Sequence, residues 1–172
     1  MTPVASCSCL LRRWIDSAIG LMQRIPDSLI AFVARFSIAA VFWKSGQTKV
    51  EGFAIDLVNG SFDIGWPKLA DSAVYLFRNE YQLPLLHPEI AATVAAFSEH
   101  LFPALILIGF ATRFSALALL GMTLTIQLFV YPDAYPTHGT WMAVLLYLMA
   151  KGPGILSIDH LIARRFGKSG GS

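Results

Sequence analysis

The residues with the most chemistry to offer stand inside apolar stretches. Glu99 lies in the run 90–110 and Arg35 in the run 29–45. An ionised side chain in hydrocarbon is costly unless it is paired, so each position calls for a partner. Glu99 is about ten residues into its run, hence roughly 15 Å deep and near a bilayer midplane. Arg35 is about six residues into its own run, roughly 9 Å deep. If the two helices are neighbours, the guanidinium reaches the carboxylate; Lys44 and Lys49 are rival cations from the opposite end. Such a carboxylate locks two helices as an ion pair, handles a proton or a ligand, or stays protonated within hydrogen bonds. Pro103 adds a local argument, because it has no N–H to give the carbonyl of Glu99. His100 follows Glu99 but sits about 100° around the helix. It either lines the same cavity or is satisfied against another helix. Gln127, in the run 114–131, suits an interhelical hydrogen bond and could join the same polar site.

Two further constellations could bind metal. His87, Asp133 and His138 fall near one surface and together offer two imidazoles and a carboxylate to a metal or to a quinone headgroup. No close-spaced ligand motif joins them, and turn or interface roles are the alternative. Cys7-Ser8-Cys9 could hold a soft metal such as copper(I) or act as a redox thiol pair. Against that stands an unstructured terminus with reduced thiols, since a bridge across one residue would be strained. There is no Gly-x-Gly-x-x-Gly, phosphate loop, Cys-x-x-Cys or Gly-x-Ser-x-Gly, so no recognisable device binds a nucleotide.

The elements that must position these residues follow from composition. Of 172 residues, 55% are hydrophobic and 14% charged, whereas soluble domains carry roughly 45–50% and about 25%. That excludes a disordered chain and points to a membrane protein. The net charge of +2 is spread along the chain and makes no nucleic-acid footprint. Four apolar runs, 29–45, 90–110, 114–131 and 139–150, are the expected spans, the last reaching full length only with its flanks. The fold expected is therefore all-α: a polytopic membrane protein built as a four-transmembrane-helix bundle. Residues 1–28 make a cytoplasmic tail with an amphipathic helix over 10–25 and no clean apolar core for a cleavable signal. The membrane domain covers 29–162. Its outer loop, 46–88, carries a short helix over 69–81 as a lid, and 163–172 is a basic flexible tail. Ser157 is placed to cap a last helix, with Asp159 in its first turn. Arg12, Arg13, Arg24, Arg113, Lys151, Arg164, Arg165 and Lys168 fall on one side, so both termini are expected in the cytoplasm.

Arg35, then Phe42-Trp43-Lys44-Ser45-Gly46 with Lys49, resembles the first-helix motif of the DoxX family of small bacterial membrane proteins. Glu99 followed by Gly109-Phe110-Ala111-Thr112-Arg113 is similar to that family's Glu…Gly-x-x-Thr-Arg element. Gly152-Pro153-Gly154-Ile155-Leu156-Ser157-Ile158-Asp159 resembles its Gly-Pro-Gly-x-x-Ser-x-Asp ending. The resemblance covers about residues 30–162 and implies a four-helix protein of the bacterial inner membrane. It also implies an accessory or anchoring subunit of a redox, thiol/sulfur or metal-stress system, working with a protein partner or a second copy in the bilayer. Two alternatives stand beside it. One is a quinone-linked oxidoreductase subunit with Glu99 and Arg35 as its polar site and a quinone as cofactor, and the other is a small transporter using the same pair. Whether the chain is itself an enzyme is open at this level, because function lives in sites and not in folds.

Overall fold

The computed structural model describes residues 4–56, 60–84 and 86–166, with side chains from residue 12 onward apart from Asp56. Helix α1 (Val4–Met22) precedes α2 (Asp27–Gln47), and two strands follow, β1 (Val50–Asp56) and β2 (Ser61–Leu69). Next come α3 (Asp71–Leu76) with a π-turn over Phe77–Tyr81, α4 (Pro88–Ile108) and α5 (Thr112–Phe129). A 3-10 turn (Pro132–Ala134), α6 (Tyr135–Lys151) and α7 (Ile158–Phe166) complete the order. Helices α2, α4 and α5 are long and apolar enough to cross a membrane; α6, with 17 residues, is shorter.

Four helices close into a bundle in which α2 packs on α4, α4 on α5, α5 on α6 and α6 on α2. Its core is Ile38, Ala39, Phe42, Ile106, Ala116, Leu119, Leu145 and Leu148. Outward-facing Phe36, Val94, Phe97, Leu117 and Leu128 are all more than half exposed. A soluble protein does not leave such a contiguous apolar surface uncovered, and a bilayer supplies the cover.

The all-α expectation needs one correction. The outer loop is not helical throughout: β1 and β2 form an antiparallel hairpin, with Phe53 opposite Ile64 and Ile55 opposite Phe62. The cause is local, because Phe62, Ile64 and Trp66 alternate with Ser61, Asp63 and Gly65, the period of a strand. An irregularity where Gly52 stands against Gly65, Trp66 and Pro67 of β2 shifts the register, after which Phe53 and Ile55 lie opposite Ile64 and Phe62. The helix expected over 69–81 is present in two pieces, α3 and the π-turn, and Phe77 packs on Ala91 and Ala92 of α4. At the other end of the chain α7 continues to Phe166, so the expected tail boundary at 163 falls inside a helix.

Candidate functional site

Glu99 is indeed paired, but with Lys49. The Lys49 Nζ donates to Glu99 Oε2 at 2.7 Å, and the two side chains are 6% and 4% exposed. Lys49 lies just beyond the end of α2, where the chain turns into β1, and its ammonium also donates to the Ser45 carbonyl and Oγ at 3.2 and 3.1 Å. All three ammonium protons thus have acceptors, which is what a buried lysine requires. Lys44 is exposed on α2 and enters none of the ion pairs among the described residues.

His100 lines the same place from α4. Its Nδ1 lies 2.7 Å from the Ala96 carbonyl, so that nitrogen carries the proton and donates. Its Nε2 is left to accept from Gln47 Nε2 at 2.9 Å. Gln47 Oε1 in turn accepts from the Ile55 backbone N–H at 2.8 Å, which ties β1 to α2. The rings of Trp43 and Phe53 stand edge-on to the imidazole at 5.1 and 6.1 Å. Gly46 makes the approach feasible: a Cβ there would come within 2.9 Å of the His100 ring and 3.1 Å of Glu99 Cβ. Next to this cluster, between the hairpin and α4, is a mostly apolar groove of about 520 Å³ lined by Phe53, Trp66, Leu69, Phe97 and His100.

Arg35 belongs to a separate cluster at the opposite end of the bundle. It is buried, and its Nη1 and Nη2 donate to the carbonyls of Leu107 and Leu156 at 3.0 and 2.5 Å. The expected Arg35–Glu99 pair is thereby corrected, because Leu107 lies about 12 Å farther along α4 than Glu99 and the guanidinium satisfies one carbonyl near the end of α4 and one in the segment before α7. Asp159, anticipated only as a first-turn acid of α7, does more. Its two carboxylate oxygens accept from the N–H groups of Ala111 and Thr112 at 2.8 and 2.9 Å, capping α5. Its own N–H donates to the Gly109 carbonyl at 2.8 Å. Ser157 caps α7 as expected, its Oγ accepting from His160 N–H at 3.2 Å. Gly109 has φ 71°, and a Cβ there would overlap Ser157 and the Arg35 guanidinium.

Gln127 makes an interhelical hydrogen bond, its Oε1 on His138 Nδ1 at 2.7 Å, and its Nε2 donates to the Pro132 carbonyl of the following turn at 2.6 Å, outside the bonds of Glu99. This also corrects the trio of His87, Asp133 and His138. His138 turns inward to Gln127 and Trp141, whereas His87 and Asp133 are exposed on other segments. Among the described residues no three His, Cys, Asp or Glu side chains stand together to hold a metal ion. The side chains of Cys7 and Cys9 lie outside the described residues. Beside the π-turn, the Tyr131 phenol donates to the Glu80 carboxylate, and Tyr81 stands edge-on to Tyr131 at 5.7 Å. The carboxylate pushes the Tyr131 phenol well above its ordinary range, and burial pushes Tyr81 up as well.

The polar partners that pattern alone did not single out are Ser45 and Gln47. Ser45 sits inside the first-helix motif quoted above, and Gln47 lies between its Gly46 and Lys49, so the signal was present in the stretch around them. The family model described as DoxX matches residues 30–132, more than half of the chain. A Haemophilus influenzae protein described as uncharacterized is 28% identical over 151 residues, covering 83% of this chain and 89% of its own. No solved structure matches the chain.

Proposed function

Since this chain belongs to the DoxX family, we propose that it serves as an accessory or anchoring subunit of a membrane redox, thiol/sulfur or stress system. In this reading α6 is a fourth span, and both termini lie in the cytoplasm of a bacterial inner membrane, following the excess of Lys and Arg at that end. The observation that carries it is the closed state of the polar centre. Lys49 and Glu99 satisfy each other, and both nitrogens of His100 are engaged. These groups join α2, α4 and the hairpin, which is the work of a scaffold. A quinone-linked role is the second reading, favoured by the apolar groove with His100 on its wall. A flat ring could enter there from the lipid and meet the imidazole without disturbing the ion pair.

The test is complementation of the full chain in cells lacking it, with a stoichiometric partner identified by purification in detergent. A scaffold is restored by Lys49→Met with Glu99→Leu, which removes both charges and keeps the volume. A proton- or quinone-handling carboxylate is not restored by that pair. Loss of function in the folded double variant would overturn the scaffold reading.

A further inference from the structure

At the end of the bundle opposite Glu99, a cavity of about 410 Å³ lies between the start of α2, the end of α6 and α7. Arg113, Lys151 and His160 line it, with Asp27 and Asp159 as the acids. Asp159 is committed to the amides of Ala111 and Thr112. Asp27 stands 3.9 Å from Lys151 with both side chains largely exposed, a loose contact. Among the described residues Arg113 reaches only the Ala150 carbonyl, at a long 3.5 Å. Donors of the guanidinium and the ammonium are therefore free for a bound anion.

Helix α7 tells what kind of anion. Its residues Asp159, His160 and Ala163 border the cavity. Ile158, Leu161, Ile162 and Phe166 are 37%, 62%, 41% and 72% exposed, so its apolar stripe points away from the protein. An amphipathic helix of a water-soluble protein is arranged the other way, with its apolar stripe on the core. The outward stripe fits acyl chains, which places the polar side and the cavity beneath it at headgroup depth. Arg164 and Arg165 extend the positive charge along the same helix.

We infer that this cavity seats the phosphate headgroup of an anionic phospholipid, with its acyl chains against the outward stripe of α7. Basic pockets between membrane helices recognise such headgroups by charge. The inference goes beyond the scaffold reading and needs no partner protein.

The test is thermal unfolding of the delipidated full chain in neutral detergent, titrated with phosphatidylglycerol, with phosphatidylethanolamine of the same acyl chains, and with inorganic phosphate. Phosphatidylglycerol raises the midpoint saturably, and the other two do not. Lys151→Gln and Arg113→Gln each weaken the half-saturating concentration about fivefold, while Lys44→Gln, at the far end, leaves it unchanged. If Arg113→Gln lowers the lipid-free midpoint, Lys151→Gln alone decides, since Lys151 is exposed and loosely paired. An equal response to both lipids, an equal response to free phosphate, or full affinity in Lys151→Gln would overturn the assignment.

Discussion

Lys49 and Glu99 meet across the α2–α4 contact at 2.7 Å with almost no exposure, while Arg35 is held on carbonyls at the other end of the same helix pair. Two of the three cations of the first-helix motif thus serve different ends of the bundle. Lys49 neutralises a buried acid level with the end of α2 and pins the hairpin base. Arg35 gathers the ends of α4 and of the segment leading into α7.

Breaking the buried pair from one side leaves an uncompensated charge, so Lys49→Met alone is expected to destabilise the protein by about 3–5 kcal/mol. Lys49→Met with Glu99→Leu is expected to recover most of that loss. A double-mutant cycle from denaturant unfolding in detergent measures the coupling. Arg35→Leu with Glu99→Leu should be additive, and a strong coupling between those two would contradict the geometry.

Gly46→Ala forces a methyl group against the His100 ring and Glu99 Cβ. The imidazole sits between Trp43, Phe53 and its two hydrogen bonds, so it has little room to yield. A loss of about 1–3 kcal/mol is expected, as for overpacking in general. The fluorescence of Trp43 should change with it. Gly139→Ala, where a Cβ meets nothing, is the matched control.

Asp159→Ala removes both acceptors from the first amides of α5. The cost expected is about 1–2 kcal/mol, the range for a lost helix cap. Hydrogen exchange locates the effect: protection should fall at Ala111 and Thr112 and stay unchanged around Lys49. Uniform loss along the chain would argue against a local capping role.

The Tyr131–Glu80 hydrogen bond sets an alkaline limit. A phenol donating to a carboxylate holds its proton in the folded state past the ordinary value near 10. The unfolded chain releases that proton first. Stability from this bond is therefore complete below about pH 10 and is lost as pH rises from there toward the folded value. Phenolate absorbance should show late-titrating tyrosines, the latest of which is missing in Tyr131→Phe. An ordinary titration of every tyrosine would refute the bond.

Orientation can be read by thiol labelling of intact cells, after Cys7→Ser and Cys9→Ser remove the native thiols. A cysteine at exposed position 133 should react with an impermeant reagent from outside, and one at exposed position 164 only after the membrane is opened. The reverse pattern would invert the topology.

The spans were legible because an apolar run of membrane length has few other uses, and 90–110 and 114–131 correspond closely to α4 and α5. That Glu99 needs a cation was equally legible, since burial makes the demand wherever the partner comes from. Which cation was not, because Lys49 lies past the end of α2 in a stretch that reads as a loop. The hairpin was half legible. The alternation Phe62, Ile64, Trp66 marks β2, but the pairing slips where Gly52 meets Gly65, Trp66 and Pro67, and no pattern in β1 announces that slip. The His87, Asp133 and His138 grouping failed because depth along a helix axis says nothing about direction around it. His138 turns inward to Gln127 while the other two face out.

The junction of Arg35, Gly109, Leu156 and Asp159 also bears on how the chain matures. The acceptors that complete the first span and the start of α5 come from residues made after every other helix of the bundle. During synthesis, that corner stays unfinished until the ribosome has delivered the segment that follows α6. A chain truncated after Lys151 would insert its helices yet lack the latch, and quality-control proteases would find an opening there.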